Sequence, residues 1–290
     1  IIAGFPKPVG EDESGWAHEF VACDANSMVA VRNVCAELRS RLKRINFLVL
    51  TAAGPRANSM TECGETAEGL DDHLSTWFVI FFSSELMPFL LSAREQGQHA
   101  HLMTVQGAGF GIKIASSDFG LEEARRNSIK FLGRSITAMK AMVRGVAYND
   151  GLVAWFAAQH PEIAATHINP GQVRTVGAVI EGGWLLAPLV WVIKSLRNLI
   201  TDEGAQYMLH GLLDADRGLF IRDMHGDIVS ARVFSPDHHA RFTDDSPTAR
   251  KAVRFLFLYS RSLPCSFTPS LLESADDNSW LHRDTSTACQ

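Results

Sequence analysis

Short apolar runs alternate along this chain with longer segments of helical periodicity. The runs lie at residues 45–50, 101–105 and 163–168, and glycine or other small residues follow each of them. A nearly continuous apolar run suits a strand that is covered on both faces, and parallel strands need a helical crossover between them. The order strand, helix, strand therefore predicts βαβ units in an α/β fold, with a mostly parallel sheet and helices on both faces.

Capping and turn residues predict further elements. A short apolar run at residues 18–23 precedes Asp24, which predicts a buried strand and a turn, and either Asp24 or Ser27 can cap the helix that follows. The sequence His225-Gly226-Asp227 between two β-prone runs predicts a hairpin. Helical periodicity predicts further helices at about residues 67–94, 146–160 and 203–213.

Composition excludes several classes of protein. The chain has 290 residues, 46% of them apolar, and a net charge of −5, so it lacks the basic footprint of a nucleic-acid-binding protein.

The five cysteines show no CxxC spacing, which favours a reducing compartment, and we expect Cys23 and Cys35 to be buried thiols. The apolar patch at residues 184–193 is far shorter than the roughly 20 residues of a transmembrane helix. We therefore expect a soluble, cytoplasmic protein without a secretory signal.

Two other kinds of site are not predicted. His99 and His101, like His238 and His239, have no carboxylate or cysteine neighbours at metal-ligand spacing, so we expect no metal site. A Gly-x-Ser-x-Gly elbow is also absent from the sequence, which argues against an α/β-hydrolase.

The order of four local motifs resembles the short-chain dehydrogenase/reductase family. These motifs are Asp24 after a predicted strand, Ala52-Ala53-Gly54 after the next, Tyr148 at the start of a predicted helix, and the turn at residues 170–175. Tyr148-Asn149-Asp150 resembles a fungal branch of that family. The resemblance covers about residues 20–175, and it implies a Rossmann-like sheet, an NAD(P) cofactor and interconversion of a ketone and a secondary alcohol.

The resemblance also implies roles for single residues. Asp24 would contact the adenine region of the cofactor, although a role as helix cap is equally open. Small residues let the backbone approach a cofactor closely. The residues implied at the cofactor are Asp24, Ala52, Ala53, Gly54, Pro170, Gly171 and Thr175.

The catalytic set implied by the family is incomplete in this chain. Tyr148 stands at the position of the general acid, but a phenol with a pKa of about 10 needs a neighbouring cation, and Leu152 replaces the family's lysine. Arg144 can substitute only if the helix begins earlier than predicted. Gln106 stands near the position of the family's serine, and its amide can donate a hydrogen bond.

The family's glycine-rich first turn has no counterpart before Asp24. The resemblance therefore implies an N-terminally truncated domain that lacks the first βαβ unit and leaves an apolar strand edge unpaired. We expect a single incomplete domain at residues 1–264, with a substrate-covering excursion at about 182–200, and a poorly ordered tail at 265–290. The aromatic run at residues 75–83 is either core or a dimer interface, and core is favoured.

Two functions follow from these observations. The favoured one is an NAD(P)-dependent oxidoreductase, using NADPH rather than NADH, which acts on a small hydrophobic molecule of fungal secondary metabolism. A homodimer is one open arrangement of this protein. The alternative is a catalytically silent scaffold, binding protein or truncated relic. The missing glycine turn, lysine and serine support the alternative, because cofactor positioning and proton transfer act as a unit.

Overall fold

The structure, a computed structural model, describes residues 18–52, 76–111, 130–131, 134–173, 198–199 and 201–229. Its helices are α1 (Met28–Arg41), α2 (Thr76–Glu95), α3 (Ile136–Gln159) and α4 (Thr201–Leu213). Its strands are β1 (Phe47–Leu50), β2 (His101–Val105), β3 (Lys130–Phe131), β4 (Arg134–Ser135), β5 (Ala164–Ile168), β6 (Gln172–Val173), β7 (Asn198–Leu199) and β8 (Gly218–Arg222).

The main sheet is parallel and has the strand order β1, β2, β5, β8. Since side chains alternate along a strand, each register pair lies on one face. Leu102 packs into the core that α2 and α3 share, whereas Met103 and Ile168 meet Gly211 of α4 on the other face. The predicted α/β class, with a parallel sheet and helices on both faces, is therefore confirmed.

The main apolar core lies between the sheet and helices α1, α2 and α3. Ser27 caps α1, because its Oγ accepts from the backbone N of Ala30 at 3.3 Å. In α2, residues 78–81 are all buried, so the aromatic run belongs to the core there, as predicted. Cys35 of α1 is fully buried against this core, and burial raises the pKa of its thiol to about 12.

Two predicted elements differ in the structure. Residues 18–23 form no strand, because an apolar run becomes a strand only where a neighbour pairs with its backbone. Phe20 and Cys23 are both exposed, so the expectation of a buried thiol at Cys23 is wrong. The helix predicted from residue 146 begins at Ile136. Gly145 costs about 1 kcal/mol inside a helix, and the burial of the turns that follow it outweighs this cost. Tyr148 therefore lies in the middle of α3.

The predicted hairpin is confirmed as far as Val229. Arg222 at the end of β8 forms an antiparallel bridge with Ile228, and its Nη1 donates to the carbonyl of Gly226 at 2.6 Å. Gly226 has a φ of 82°, a backbone conformation that favours glycine.

Several predictions lie outside the described residues. One is the predicted lack of the first βαβ unit, since residues 1–17 are not described. The others concern Ala53, Gly54, Thr175, most of the excursion at 182–200 and the tail at 265–290. Asn198 and Leu199, at the end of that excursion, pair in parallel with Gln172 and Val173 and form a strand. Within the described part of the chain, β1 is an outer strand of the main sheet. Its residues Phe47 and Val49 are 40% and 41% exposed.

Candidate functional site at the carboxyl ends of the strands

Polar side chains gather where β2 and β5 end. Gln106 directly follows β2, and its backbone N donates to the carbonyl of Ile168, the last residue of β5, at 3.0 Å. The chain then turns through Gly107, Ala108 and Gly109, the last with a φ of 82°. The crevice outside the carboxyl ends of the strands is where open α/β sheets bind ligands. The predicted residue Gln106 therefore lies at a suitable place for a binding site.

Asn149 fixes the side chain of Gln106. Its Nδ2 donates to Oε1 of Gln106 at 2.7 Å, and Asn149 itself is buried at 3% exposure. This bond occupies the carbonyl end of the Gln106 amide and sets which end is the donor. The sequence shows Asn149 only as part of the Tyr-Asn-Asp motif and predicts no role for it. Its polarity on a largely apolar helix was the available signal.

Asp150, the next residue of α3, binds His167 of β5. The distance from Oδ1 of Asp150 to Nδ1 of His167 is 2.6 Å, and both side chains are almost completely buried. The sequence motifs do not predict this pair. A histidine inside an apolar strand was its only local sign, and the partner lies 17 residues away.

Tyr148 lies in the apolar core and not at the surface of the crevice. Its side chain is 2% exposed and belongs to the same cluster as Leu152 and Phe156. Arg144 precedes it by one helical turn and is also buried, at 7% exposure. Because α3 begins at Ile136, the two residues share one face of a continuous helix. The catalytic role of Tyr148 stays a prediction.

The turn after β5 holds two of the predicted cofactor residues. Oδ1 of Asn169 accepts from the backbone N of Gly171 at 2.9 Å, and Gly171 has a φ of 66°. Pro170 lies between them, so the tight turn is built from an Asx interaction and a glycine conformation. The structure thus brings Pro170 and Gly171 to the same edge of the sheet as Gln106.

The remaining predicted residues lie elsewhere. Ala52 is exposed just beyond the carboxyl end of β1. Asp24 is exposed in the loop before α1, where its Oδ1 accepts from the backbone N of Asn26 at 2.9 Å. Ser27 and not Asp24 is the helix cap. A contact of Asp24 with adenine stays a prediction.

On the opposite face of the sheet, His101 is a neutral core residue. Its Nδ1 lies 2.6 Å from the carbonyl of Leu212, and its Nε2 lies 2.7 Å from Oγ1 of Thr166. Since a carbonyl only accepts, Nδ1 carries the proton and Nε2 accepts from the threonine hydroxyl. Burial lowers the pKa of the ring to about 4, with Arg222 and His99 adding to this effect and the Leu212 carbonyl opposing it.

Two glycines in these turns are compatible with a flat or anionic ligand. Gly109 and Gly171 carry no side chain and have positive φ values, which lets the backbone at these two positions approach a ring or a phosphate closely. The fold and the site together define an α/β protein with a candidate ligand-binding edge at the ends of β2 and β5.

The sequence of the chain is similar to two curated oxidoreductases. No family model matches the chain. It is 23% identical over 201 residues to oxidoreductase AN1596 of Emericella nidulans, covering 66% of this chain and 54% of that protein. It is 20% identical over 196 residues to oxidoreductase andH of Emericella variicolor, covering 67% and 53%. The chain therefore spans about half the length of these curated relatives.

Solved structures with a similar course of the chain have lower identity. A short-chain dehydrogenase from Streptomyces avermitilis is 16% identical with a TM-score of 0.42, covering 91% of this chain and 80% of that chain. The NADP complex of RhlG from Pseudomonas aeruginosa is 15% identical with a TM-score of 0.47, covering 71% and 76%. The resemblance to oxidoreductases that the sequence motifs implied is confirmed by the curated relatives.

Proposed function

We propose that this chain is part of an NAD(P)-dependent oxidoreductase of the short-chain dehydrogenase/reductase type, which interconverts a ketone and a secondary alcohol on a hydrophobic small molecule. The observation that carries the proposal is the bond between Asn149 and Gln106 at the carboxyl ends of the strands, where α/β sheets bind ligands. Similarity to two fungal oxidoreductases supports it. A single domain at residues 1–264, a cytoplasmic location and a role in secondary metabolism are parts of the same proposal.

The cofactor would lie across the turns that follow β2 and β5. It would contact the backbone of Gly109, Pro170 and Gly171. When bound, the nicotinamide would supply the hydride. The predicted contacts of Asp24, Ala52, Ala53, Gly54 and Thr175 belong to this proposal, as does the preference for NADPH.

Gln106 and Tyr148 have different roles in the proposed reaction. Gln106, oriented by Asn149, donates its amide hydrogen to the oxygen of the substrate. Tyr148 provides the proton. Arg144, one turn earlier on the same helix face, takes the place of the family's lysine and favours the phenolate electrostatically.

A catalytically silent binding protein is the second candidate. The observation that favours it is the 2% exposure of Tyr148, since a proton donor must come within hydrogen-bond reach of its substrate. In this candidate Tyr148 is a core residue, and the edge of the sheet binds a ligand without chemistry.

The test is oxidation of NADPH by the full chain with a series of hydrophobic ketones, followed by absorbance. The oxidoreductase predicts turnover that Tyr148→Phe lowers by about 10²–10⁴-fold, the usual contribution of a general acid. Tyr207→Phe is the matched control, because Tyr207 lies on α4 and packs against His225. Equal turnover in Tyr148→Phe and the control would contradict the role of Tyr148, and no turnover with intact cofactor binding would favour the silent protein.

A further inference from the structure

Thr104 and His167 are neighbours on the sheet face that α3 covers. They are register partners of β2 and β5, and partners on adjacent strands lie about 4.8 Å apart. Both residues are 0% exposed. Asp150 approaches the same position from α3, with 4% of its side chain exposed. Three polar side chains from three elements are therefore enclosed together.

The bond to Asp150 determines which nitrogen of His167 is protonated. A carboxylate oxygen accepts, so Nδ1 of His167 donates the proton at 2.6 Å. In the neutral ring this leaves Nε2 as an acceptor. Among the residues that the structure describes, neither Nε2 of His167 nor Oγ1 of Thr104 has a hydrogen-bond partner.

Nε2 of His167 and the hydroxyl of Thr104 could both be satisfied by one small molecule that donates to the first and accepts from the second. Buried side-chain polar atoms are in the great majority hydrogen-bonded, to protein or to internal water. The acceptor Nε2 and the hydroxyl of Thr104 belong to register partners on one face, yet they form no direct bond. A water molecule fits this combination, since it donates to one group while it accepts from the other.

The order carboxylate, imidazole, hydroxyl is also that of a nucleophilic triad, but burial argues against this reading. A nucleophile must be reachable by its substrate. Thr104 and His167 are both fully enclosed between the sheet and α3. A small internal ligand is compatible with this enclosure, and a substrate is not.

We propose that one internal water molecule bridges Nε2 of His167 and Oγ1 of Thr104 and so completes a polar chain from Asp150 to β2. The water donates to Nε2 and accepts from the threonine hydroxyl. The chain would join α3, β5 and β2. This proposal is independent of any enzymatic activity.

Crystal structures of the full chain and of two variants test the bridge. The expected result is a water within about 3 Å of both Nε2 and Oγ1 in the unmodified chain. It stays in Thr104→Ser, which keeps the hydroxyl, and is lost or displaced in the isosteric Thr104→Val. A direct bond between Thr104 and His167, or a water that keeps its place in Thr104→Val, would overturn the proposal.

A second measurement needs no variant. In protein labelled with ¹⁵N at histidine, long-range correlation of the ring protons identifies the protonated nitrogen of each ring. We expect the neutral ring of His167 to carry its proton on Nδ1 and not on Nε2. A proton on Nε2 would overturn the proposed direction of the bridge, even if Thr104→Val does not fold.

Discussion

Asp150 and His167 face each other across the interface of α3 and β5, with 2.6 Å between Oδ1 and Nδ1. The preceding residue, Asn149, binds Gln106 at the end of β2. Two consecutive residues of one helix therefore hold the carboxyl ends of two adjacent strands. This arrangement gives the Asn-Asp part of the Tyr-Asn-Asp motif a physical role that does not depend on Tyr148.

Removing one partner of the buried pair should destabilise the fold. Asp150→Ala leaves the Nδ1–H group of His167 enclosed without its acceptor, and a buried donor left unpaired costs about 1–3 kcal/mol. Asp150→Asn keeps an acceptor oxygen and should cost less. Urea unfolding at pH 7 measures these losses.

The matched control for this experiment is Asp216→Ala. Asp216 pairs with Arg94 at the surface, where its side chain is 55% exposed, and exposed pairs contribute little. A loss in Asp150→Ala no larger than that in the control would show that the buried pair does not hold α3 to β5.

Stability should fall in acid because of His101. The pKa of its ring is lowered from 6.5 to about 4 in the fold, so the unfolded chain binds a proton more readily in this range. The contribution is complete above pH 6.5 and is lost as the pH falls toward 4. The neutral ring contributes about 3 kcal/mol to the free energy of unfolding, and this contribution is lost completely below both pKa values.

Unfolding free energies of the unmodified chain and His101→Gln, measured from pH 7 to pH 4.5, isolate this effect. The variant should show the flatter pH dependence. Parallel curves for the two proteins would contradict the assignment of a neutral, buried ring at His101.

Two glycines with similar backbone angles should respond differently to alanine. Gly97 and Gly226 have φ values of 72° and 82°, so either substitution is strained by about 1–3 kcal/mol. A Cβ at Gly226 would also meet the backbone oxygen of Tyr207 at 2.9 Å, whereas a Cβ at Gly97 has open space. Gly226→Ala should therefore lower the urea midpoint more than Gly97→Ala does. An equal shift would contradict the close packing of the hairpin on α4.

The proposed chemistry predicts separate effects of Arg144 and Gln106. Arg144→Met should lower kcat at least about tenfold, and Arg144→Lys, which keeps the charge, should retain most of it. Gln106→Met removes a donor to the substrate oxygen and should lower kcat/KM by about 10²-fold. Steady-state kinetics with NADPH checks both. Unchanged kcat in Arg144→Met would exclude Arg144 as a substitute for the lysine.

Local patterns predicted the sheet better than they predicted the site. The apolar runs that became β1, β2 and β5 were recognisable because each ends in small residues, and Gly226 marked the hairpin. The pairing of Asn149 with Gln106 spans 43 residues and that of His167 with Asp150 spans 17, so periodicity carries no sign of either. Periodicity predicts a helix only from residue 146, whereas α3 continues through Gly145 back to Ile136, because the burial of the following turns outweighs the cost of that glycine. Residues 18–23 were predicted as a strand from composition alone, which does not supply a pairing partner.

Binding of the cofactor is the central claim, and isothermal titration of the folded full chain with NADPH and NADH tests it most directly. We predict saturable binding at micromolar concentrations, tighter for NADPH. Gly171→Val should weaken it, since a β-branched side chain is strained at a φ of 66° and would stand at the proposed cofactor turn. Absence of binding by a sample with cooperative unfolding would contradict the dehydrogenase and leave a protein without nicotinamide chemistry.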